Sequence, residues 1–219
     1  MILSKEEILK EIVECRTNPI HYLEQYGRVR HPIRGIVPFK LYDFQKDVVI
    51  KVVNNRFVII AKGRQLGLST LLSGYSVWLA SFFNSKQILI LANKGDVATN
   101  FISKCKIFIK YIPEYMRPKI LVNNRQSIEL ENGSVIKAST TTVDAARSEA
   151  LSLLIVDEAA MIRPINEVWT AARPTLSTGG AAVIISTPCV SGDTKIKIRN
   201  KITQEIKEIN IEELKYDYM

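Results

Sequence analysis

Apolar residues fall into two kinds of run along this chain. Short unbroken stretches, RFVIIA (56–61), QILILAN (87–93), LSLLIVDE (151–158) and AAVIISTP (181–188), are rich in β-branched side chains and bounded by charged or turn residues. Unbroken apolar runs of strand length predict strands buried on both faces. Between them lie longer stretches with helical spacing. SKEEILKEIVECRT has Ser4 as an N-cap and Glu7 at the third helical position, a capping-box pattern ahead of an amphipathic helix. LYDFQKDVVIKVVNN predicts a second helix. STLLSGYSVWLASFF (69–83), apolar nearly all round, predicts a buried one. GDVATNFISKCKIFIKYI (95–112) and a segment near 164–176 are also helical in pattern, and residues 28–38, rich in Arg and Pro, predict a loop. SIELENGSVIKAS carries Asn132-Gly133 between two alternating runs, which predicts a hairpin. Buried strands alternating with helices predict an α/β fold, a mostly parallel sheet with helices on both faces.

The pattern changes after residue 188. TKIKIR alternates with period two, ITQEIKEI is strand-like, and INIEELKYD has the start of a helical pattern. So short a β-rich segment cannot build a core, and it is expected to be completed by another polypeptide or to hang free. Charge divides at the same place. The tail's Lys195, Lys197, Arg199, Lys201, Lys207 and Lys215 are balanced by Asp193, Glu205, Glu208, Glu212, Glu213 and Asp217. The net +8 therefore belongs to residues 1–188, and a basic body points to a polyanionic partner such as nucleic acid. With 47% hydrophobic and 24% charged residues the composition is that of a globular protein. No apolar run reaches the ~20 residues that span a bilayer, and the charged N-terminus does not read as a signal peptide. Cys15, Cys105 and Cys189 lie far apart, which fits a reducing compartment without a disulfide framework. The histidines, His21 and His31, form no zinc-type spacing with them. Trp78 and Trp169 are expected in the core.

Two motifs carry chemistry. AKGRQLGLST (61–70) lies between a predicted strand and a predicted helix, where a phosphate-binding loop belongs. Backbone N–H groups there cradle phosphates, and a hydroxyl at the start of the helix reaches Mg²⁺. Against the pattern GxxxxGK[ST], Gly67 and Ser69 are in register, but Leu68 stands where the lysine belongs and Lys62 where the first glycine belongs. Lys62, at the other end of the loop, can bring an ammonium back over the phosphates, and Arg64 offers a second cation. Taken alone, the loop also reads as a glycine-containing turn. LLIVDEAA (153–160) adds an apolar strand ending in Asp157 and Glu158. Such a pair supplies a Mg²⁺ ligand and a base for the attacking water. The two motifs in this order predict a P-loop NTPase core.

In order, YDFQKDVV, KGRQLGLST, NNRQSIELENGSVIKAS, VDAARS, LLIVDEAAMI and VIISTP resemble the ATPase domain of the large terminase subunit of tailed phages, over roughly residues 38–188. The resemblance implies ATP and Mg²⁺ as cofactors and the pumping of double-stranded DNA into an empty capsid, in the cytoplasm of an infected bacterium. It also implies portal and small terminase subunit as partners, and no membrane. It gives Phe44 and Gln45 an adenine-side role. It makes Lys62, Gly63, Arg64, Gln65, Gly67, Leu68, Ser69 and Thr70 the phosphate loop, with Arg64 sensing the γ-phosphate. Ser69 and Asp157 would hold the metal, with Glu158 as catalytic base. Ser186, Thr187 and Pro188 would couple hydrolysis to motion, and Arg147 would stand near the site. Residues 1–37 form a helical segment ahead of this partial domain.

From Cys189 the chain, CVSGDTKIKI…EIKEINIEEL, resembles the amino-terminal block of an intein over residues 189–219. A splicing element begins with a nucleophile, whose thiol attacks the preceding carbonyl and turns the Pro188–Cys189 amide into a thioester. The Thr-x-x-His and terminal His-Asn that complete the reaction in inteins are not in this sequence. The resemblance therefore implies a split intein, with Cys189 as its first nucleophile and the rest of intein and terminase on a second polypeptide. Proline before the nucleophile constrains the scissile bond, so the shift is expected to be slow without that partner. A standalone helicase-like ATPase or a non-enzymatic nucleotide-binding scaffold, each with a non-functional tail, are the other readings of the same residues.

Overall fold

The computed structural model describes residues 4–142, 145, 150–163, 165–187, 195–199 and 204–210. The chain divides into two compact units, residues 1–187 and 188–219.

The first unit opens with helices α1 (Lys5–Thr17) and α2 (Pro19–Tyr26). Ser4 and Glu7 form the expected capping box on α1. The Glu11 carboxylate binds the two helices together, accepting from the Cys15 thiol, from His21 Nε2 at 2.8 Å and from the Tyr26 hydroxyl at 2.8 Å. Strands β1 (Arg28–His31) and β2 (Gly35–Pro38) then form a small antiparallel hairpin. The expected loop is thus a paired ribbon, and α2 is an additional element. Both are too short for periodicity to declare them. Helix α3 (Asp43–Asn54) follows.

The central sheet is built from β3 (Phe57–Ala61), β4 (Gln87–Ala92), β5 (Ile120–Asn123), β6 (Ser127–Leu130), β7 (Val135–Thr140), β8 (Leu153–Asp157) and β9 (Ala181–Ser186). Its order is β3-β9-β8-β4-β7-β6-β5. The strands from β3 to β7 in that order pair in parallel, and β6 and β5 add an antiparallel meander. The expected hairpin is β6–β7: Leu130 N–H donates to Ser134, and Gly133 sits at φ 78°, a conformation that costs glycine little.

Helices α4 (Leu68–Phe82) and α5 (Gly95–Lys110) cover one face, and α6 (Ile165–Ala172) with the 3₁₀ turn Arg173–Leu176 covers the other. The first face holds the main core, including Leu71, Trp78, Phe101 and Phe108, with Tyr22 and Leu23 from α2 and Val49 and Val52 from α3. The second holds a smaller cluster around Leu154, Val156, Val168 and Leu176, with Trp169 packed against it. Trp78 is core, as expected, whereas Trp169 is half-buried at the rim of the second cluster. RFVIIA departs from expectation. It forms β3 at the sheet's edge rather than a strand buried on both faces, with Phe57 50% and Ile59 79% exposed. Val58 and Ile60 pack into the main core, and the opposite side of the strand is left bare.

In the second unit, β10 (Lys195–Arg199) and β11 (Ile206–Asn210) pair antiparallel from Lys195↔Asn210 to Arg199↔Ile206. Two short strands bury too little for independent stability.

Candidate functional site

The site lies at the carboxyl ends of β3, β8 and β9, where open α/β sheets hold ligands. The loop after β3 turns into α4 through Gly67, whose φ of 71° starts the helix. A Cβ there would lie 3.0 Å from Gln45 Nε2, so glycine is needed for space as well as for conformation. Gln45 itself is 2% exposed and braces the loop: its Oε1 accepts from Tyr42 N–H and its Nε2 donates to the Leu66 carbonyl at 3.0 Å. Leu68, in the usual lysine position, is buried in the core. Gly63, Arg64 and Gln65 are exposed along the loop, and Arg64 makes no hydrogen bond or ion pair among the described residues.

Lys62 occupies the centre instead. Its ammonium donates to Glu158 Oε1 at 2.8 Å and to Thr187 Oγ1 at 3.0 Å, and its side chain is 8% exposed. Ser69, at the start of α4, donates to Asp157 Oδ2 at 2.8 Å. Ser186 ties the strand ends together, its carbonyl accepting from Lys62 N–H and its Oγ from Ala160 N–H. Thr187 donates through its backbone and hydroxyl to Glu158.

The pKa values of the adjacent carboxylates shift in opposite directions. Burial raises the Asp157 pKa, and neighbouring Glu158 adds to the rise, against the opposing hydrogen bond from Ser69 and the charges of Lys62 and Lys104. For Glu158 burial also pushes upward, but the hydrogen bond and charge of Lys62, with Thr187, hold the pKa below the usual 4.5. Asp157 Oδ1 is buried with no partner among the described residues. A desolvated carboxylate oxygen without a donor, beside a helix-start hydroxyl, fits a hard divalent cation, whose ligands are oxygens. Glu158, in the left-handed region at φ 55°, is turned toward Lys62 and Thr187.

Beside the loop lies a cleft of about 820 Å³, lined by Arg30, Arg34, Lys40, Tyr42, Phe44, Gln65, Gly67 and Thr70 among others. That volume falls within the range of small-molecule sites, about 300–1,000 Å³. The Tyr42 and Phe44 rings stack 5.7 Å apart at 8° and stand exposed at its wall. Sequence reasoning singled out Phe44 but missed Tyr42, the cations of the β1–β2 hairpin and Lys104. Burial lowers the Lys104 pKa, against the opposing charges of Asp157 and Cys105. None of these residues carries a local motif, because long-range packing brings them to the site. Arg147, Pro188 and Cys189 lie outside the described residues.

A phosphate-loop geometry on a parallel sheet, with a carboxylate pair on the second strand over, defines the P-loop NTPase class of α/β folds. Residues 59–200 match the family described as terminase large subunit, T4likevirus-type, N-terminal. The chain belongs to that family. Its fold is similar to the HK97 bacteriophage large terminase, at 18% identity and a TM-score of 0.64, over 81% of this chain and 38% of that one. It is also similar to the large terminase ATPase domain of Thermus phage P74-26, at 24% identity and a TM-score of 0.53, over 70% of this chain and 67% of that domain. A third likeness is to the large terminase of a thermophilic bacteriophage solved in complex with ADP, at 15% identity and a TM-score of 0.53, over 67% and 39% of the two chains. The chain thus spans well under half of the HK97 protein.

Proposed function

We propose that this chain is the N-terminal part of a phage DNA-packaging ATPase, binding ATP and Mg²⁺ at the Lys62–Ser69–Asp157–Glu158 site. The orphaned Asp157 Oδ1 beside Ser69 carries the reading: a buried oxygen without a donor costs about 1–3 kcal/mol unless a ligand satisfies it. The ADP complex of the thermophilic phage terminase supports nucleotide as that ligand's source. Ser69 and Asp157 would hold Mg²⁺, which draws charge from the β- and γ-phosphate oxygens. Lys62 would leave Glu158 for the γ-phosphate, standing in for the lysine that Leu68 displaces. Freed, Glu158 would take the proton of the attacking water. Thr187, bonded to both Lys62 and Glu158, would pass the change in their contact to whatever follows β9. The stacked Tyr42 and Phe44 offer a face for the base, and the basic body suits double-stranded DNA.

We further propose that Cys189 begins trans-splicing, joining residues 1–188 to a separately encoded polypeptide that completes the motor. Its thiol would add to the Pro188 carbonyl and release the Cys189 amine, leaving a thioester. The change of sequence pattern at Cys189 and the division into compact units after Thr187 support this. The family match runs on to residue 200, which favours a second reading in which the tail belongs to the terminase and no bond is cut. Mixing the two polypeptides separates them. Mass spectrometry should find a joined product lacking residues 189–219, absent with Cys189→Ala; a mixture that never yields it removes the splicing reading. In the joined product Glu158→Gln should lower ATP turnover at least ~100-fold. Turnover unchanged by Glu158→Gln and by Lys62→Ala would reduce the site to a binding scaffold.

A further inference from the structure

Between α1 and α2 the fold gathers a second set of metal-ligating side chains, remote in sequence from the phosphate loop. Glu11 and Cys15 stand one helical turn apart on α1, so their side chains share a face. Asn18 ends α1 and caps α2, its Oδ1 accepting from His21 N–H, and Pro19 opens the new helix. That tight corner turns His21 back toward the same face. A Glu11 carboxylate oxygen, Cys15 Sγ and a His21 ring nitrogen all lie within 4.8 Å of one another. Among the described residues no other three histidine, cysteine or acidic side chains converge in this way. Cysteine–histidine spacing does not declare the cluster, because its third member is a glutamate and the corner at Asn18 sets its geometry.

Hydrogen bonding is the plain use for these groups, and it satisfies them poorly. Cys15, His21 and Tyr26 all donate to one Glu11 oxygen, Oε1, at 3.4, 2.8 and 2.8 Å. A carboxylate oxygen has about two lone-pair sites, so three donors compete for them. The thiol, a weak donor, is the worst served, and Cys15 is fully buried. Burial, with the hydrogen bond to Glu11 and its charge, pushes the Cys15 pKa up, so the sulfur keeps its proton until a cation replaces it.

Thiolate, imidazole and carboxylate are the ligand types of Zn²⁺, which holds sulfur at about 2.3 Å and nitrogen or oxygen at about 2.0–2.2 Å. Tetrahedral ligand atoms at those lengths stand about 3.3–3.6 Å apart. The Glu11–Cys15 pair is already at that separation, and the ion fits once Glu11 and His21 part slightly. The Glu11 and His21 side chains are about a quarter exposed, which leaves a way in. A groove of about 830 Å³ reaches the cluster through Glu11 and Tyr26, and its walls set Glu7, Glu11 and Glu14 against the single ammonium of Lys10. Such a mouth attracts a cation. On the inner side the Cys15 carbonyl accepts from Trp78 Nε1 at 2.8 Å, which fixes the cluster to α4.

We infer that Glu11, Cys15 and His21 bind one Zn²⁺ ion, which fastens the two N-terminal helices to each other and, through Cys15, to α4. On binding, the thiol proton passes to solvent, and the His21 Nε2 hydrogen moves by way of water to Nδ1, freeing the Nε2 lone pair for the metal. Glu11 changes from hydrogen-bond acceptor to ligand, and nothing is oxidised or reduced. The cluster is separate from the nucleotide site, whose metal ligands are the oxygens of Ser69 and Asp157.

Co²⁺, titrated into the reduced full chain, is the coloured probe. It should raise a thiolate-to-cobalt charge-transfer band together with the ligand-field bands of a four-coordinate ion, and added Zn²⁺ should bleach both. Cys15→Ser should remove the charge-transfer band. His21→Gln, at a partly exposed position, should weaken binding at least ~10-fold while leaving the circular dichroism of the chain unchanged. Cys189→Ala and Asp157→Asn should leave the band as it is. X-ray absorption of the parent chain with Zn²⁺ should show one sulfur at about 2.3 Å, a readout that does not depend on any variant folding. No charge-transfer band, or an all-oxygen shell around zinc, overturns the inference. So does a band that survives Cys15→Ser and vanishes with Cys189→Ala, or one that Asp157→Asn abolishes.

Discussion

On one face of the sheet Leu71, Trp78, Phe101 and Phe108 lie buried under five helices; on the other Phe57 and Ile59 stand exposed beside α6. The two faces serve different ends. The first fixes the start of α4, and with it Gly67 and Ser69, in a well-packed frame. The second lies beside the Glu158 turn and Thr187, the groups that the proposed binding of nucleotide would shift. The side that frames Gly67 and Ser69 is thus thickly covered, and the side beside Glu158 thinly covered.

Substitutions that touch each face should separate them. Phe101→Ala removes a ring from the main core and should cost about 3–5 kcal/mol in urea unfolding. Leu176→Ala in the thinner cluster should cost less, about 2–3 kcal/mol, because neighbours beside an open face can relax into the gap. Equal losses would mean that the thin face is as tightly packed as the thick one. Between the faces, Asp157→Asn should stabilise the metal-free chain by about 1 kcal/mol, raising Tm by ~2–4 °C, because it removes a buried charge while Ser69 keeps an acceptor. It should also abolish the effect of Mg²⁺ on nucleotide binding. Glu158 has the opposite sign. Its folded pKa is lowered, so its pairing with Lys62 stabilises above the ordinary carboxylate pKa of 4.5 and the contribution is lost as pH falls through the lowered value. Glu158→Gln should therefore melt earlier than the parent at pH 7 and converge with it in acid. The smallest effect belongs to Ile59→Lys, within ~0.5 kcal/mol in the free chain.

Much of this was legible in sequence because it depends on local pattern. Apolar runs marked β3, β4, β8 and β9, and Asn132-Gly133 marked the β6–β7 hairpin. Gly67, Ser69, Asp157 and Glu158 were identified by their positions after strands. Strand order was not legible, since periodicity is the same at the centre of a sheet and at its edge. VII in β3 is apolar toward both faces, and only the structure reveals that one of them is bare. The bracing of the loop by the Gln45 amide was not legible, because it depends on where Leu66 falls. Lys62 was legible as a substitute phosphate cation, but its contact with Glu158, 96 residues away, was not.

The account turns on Lys62 serving as the phosphate cation in place of Leu68. Isothermal titration of Mg²⁺-ATP into the chain and into its Lys62→Ala variant tests this most directly. Binding by the parent that weakens at least tenfold in the variant is the predicted result; equal affinity in the two would contradict it.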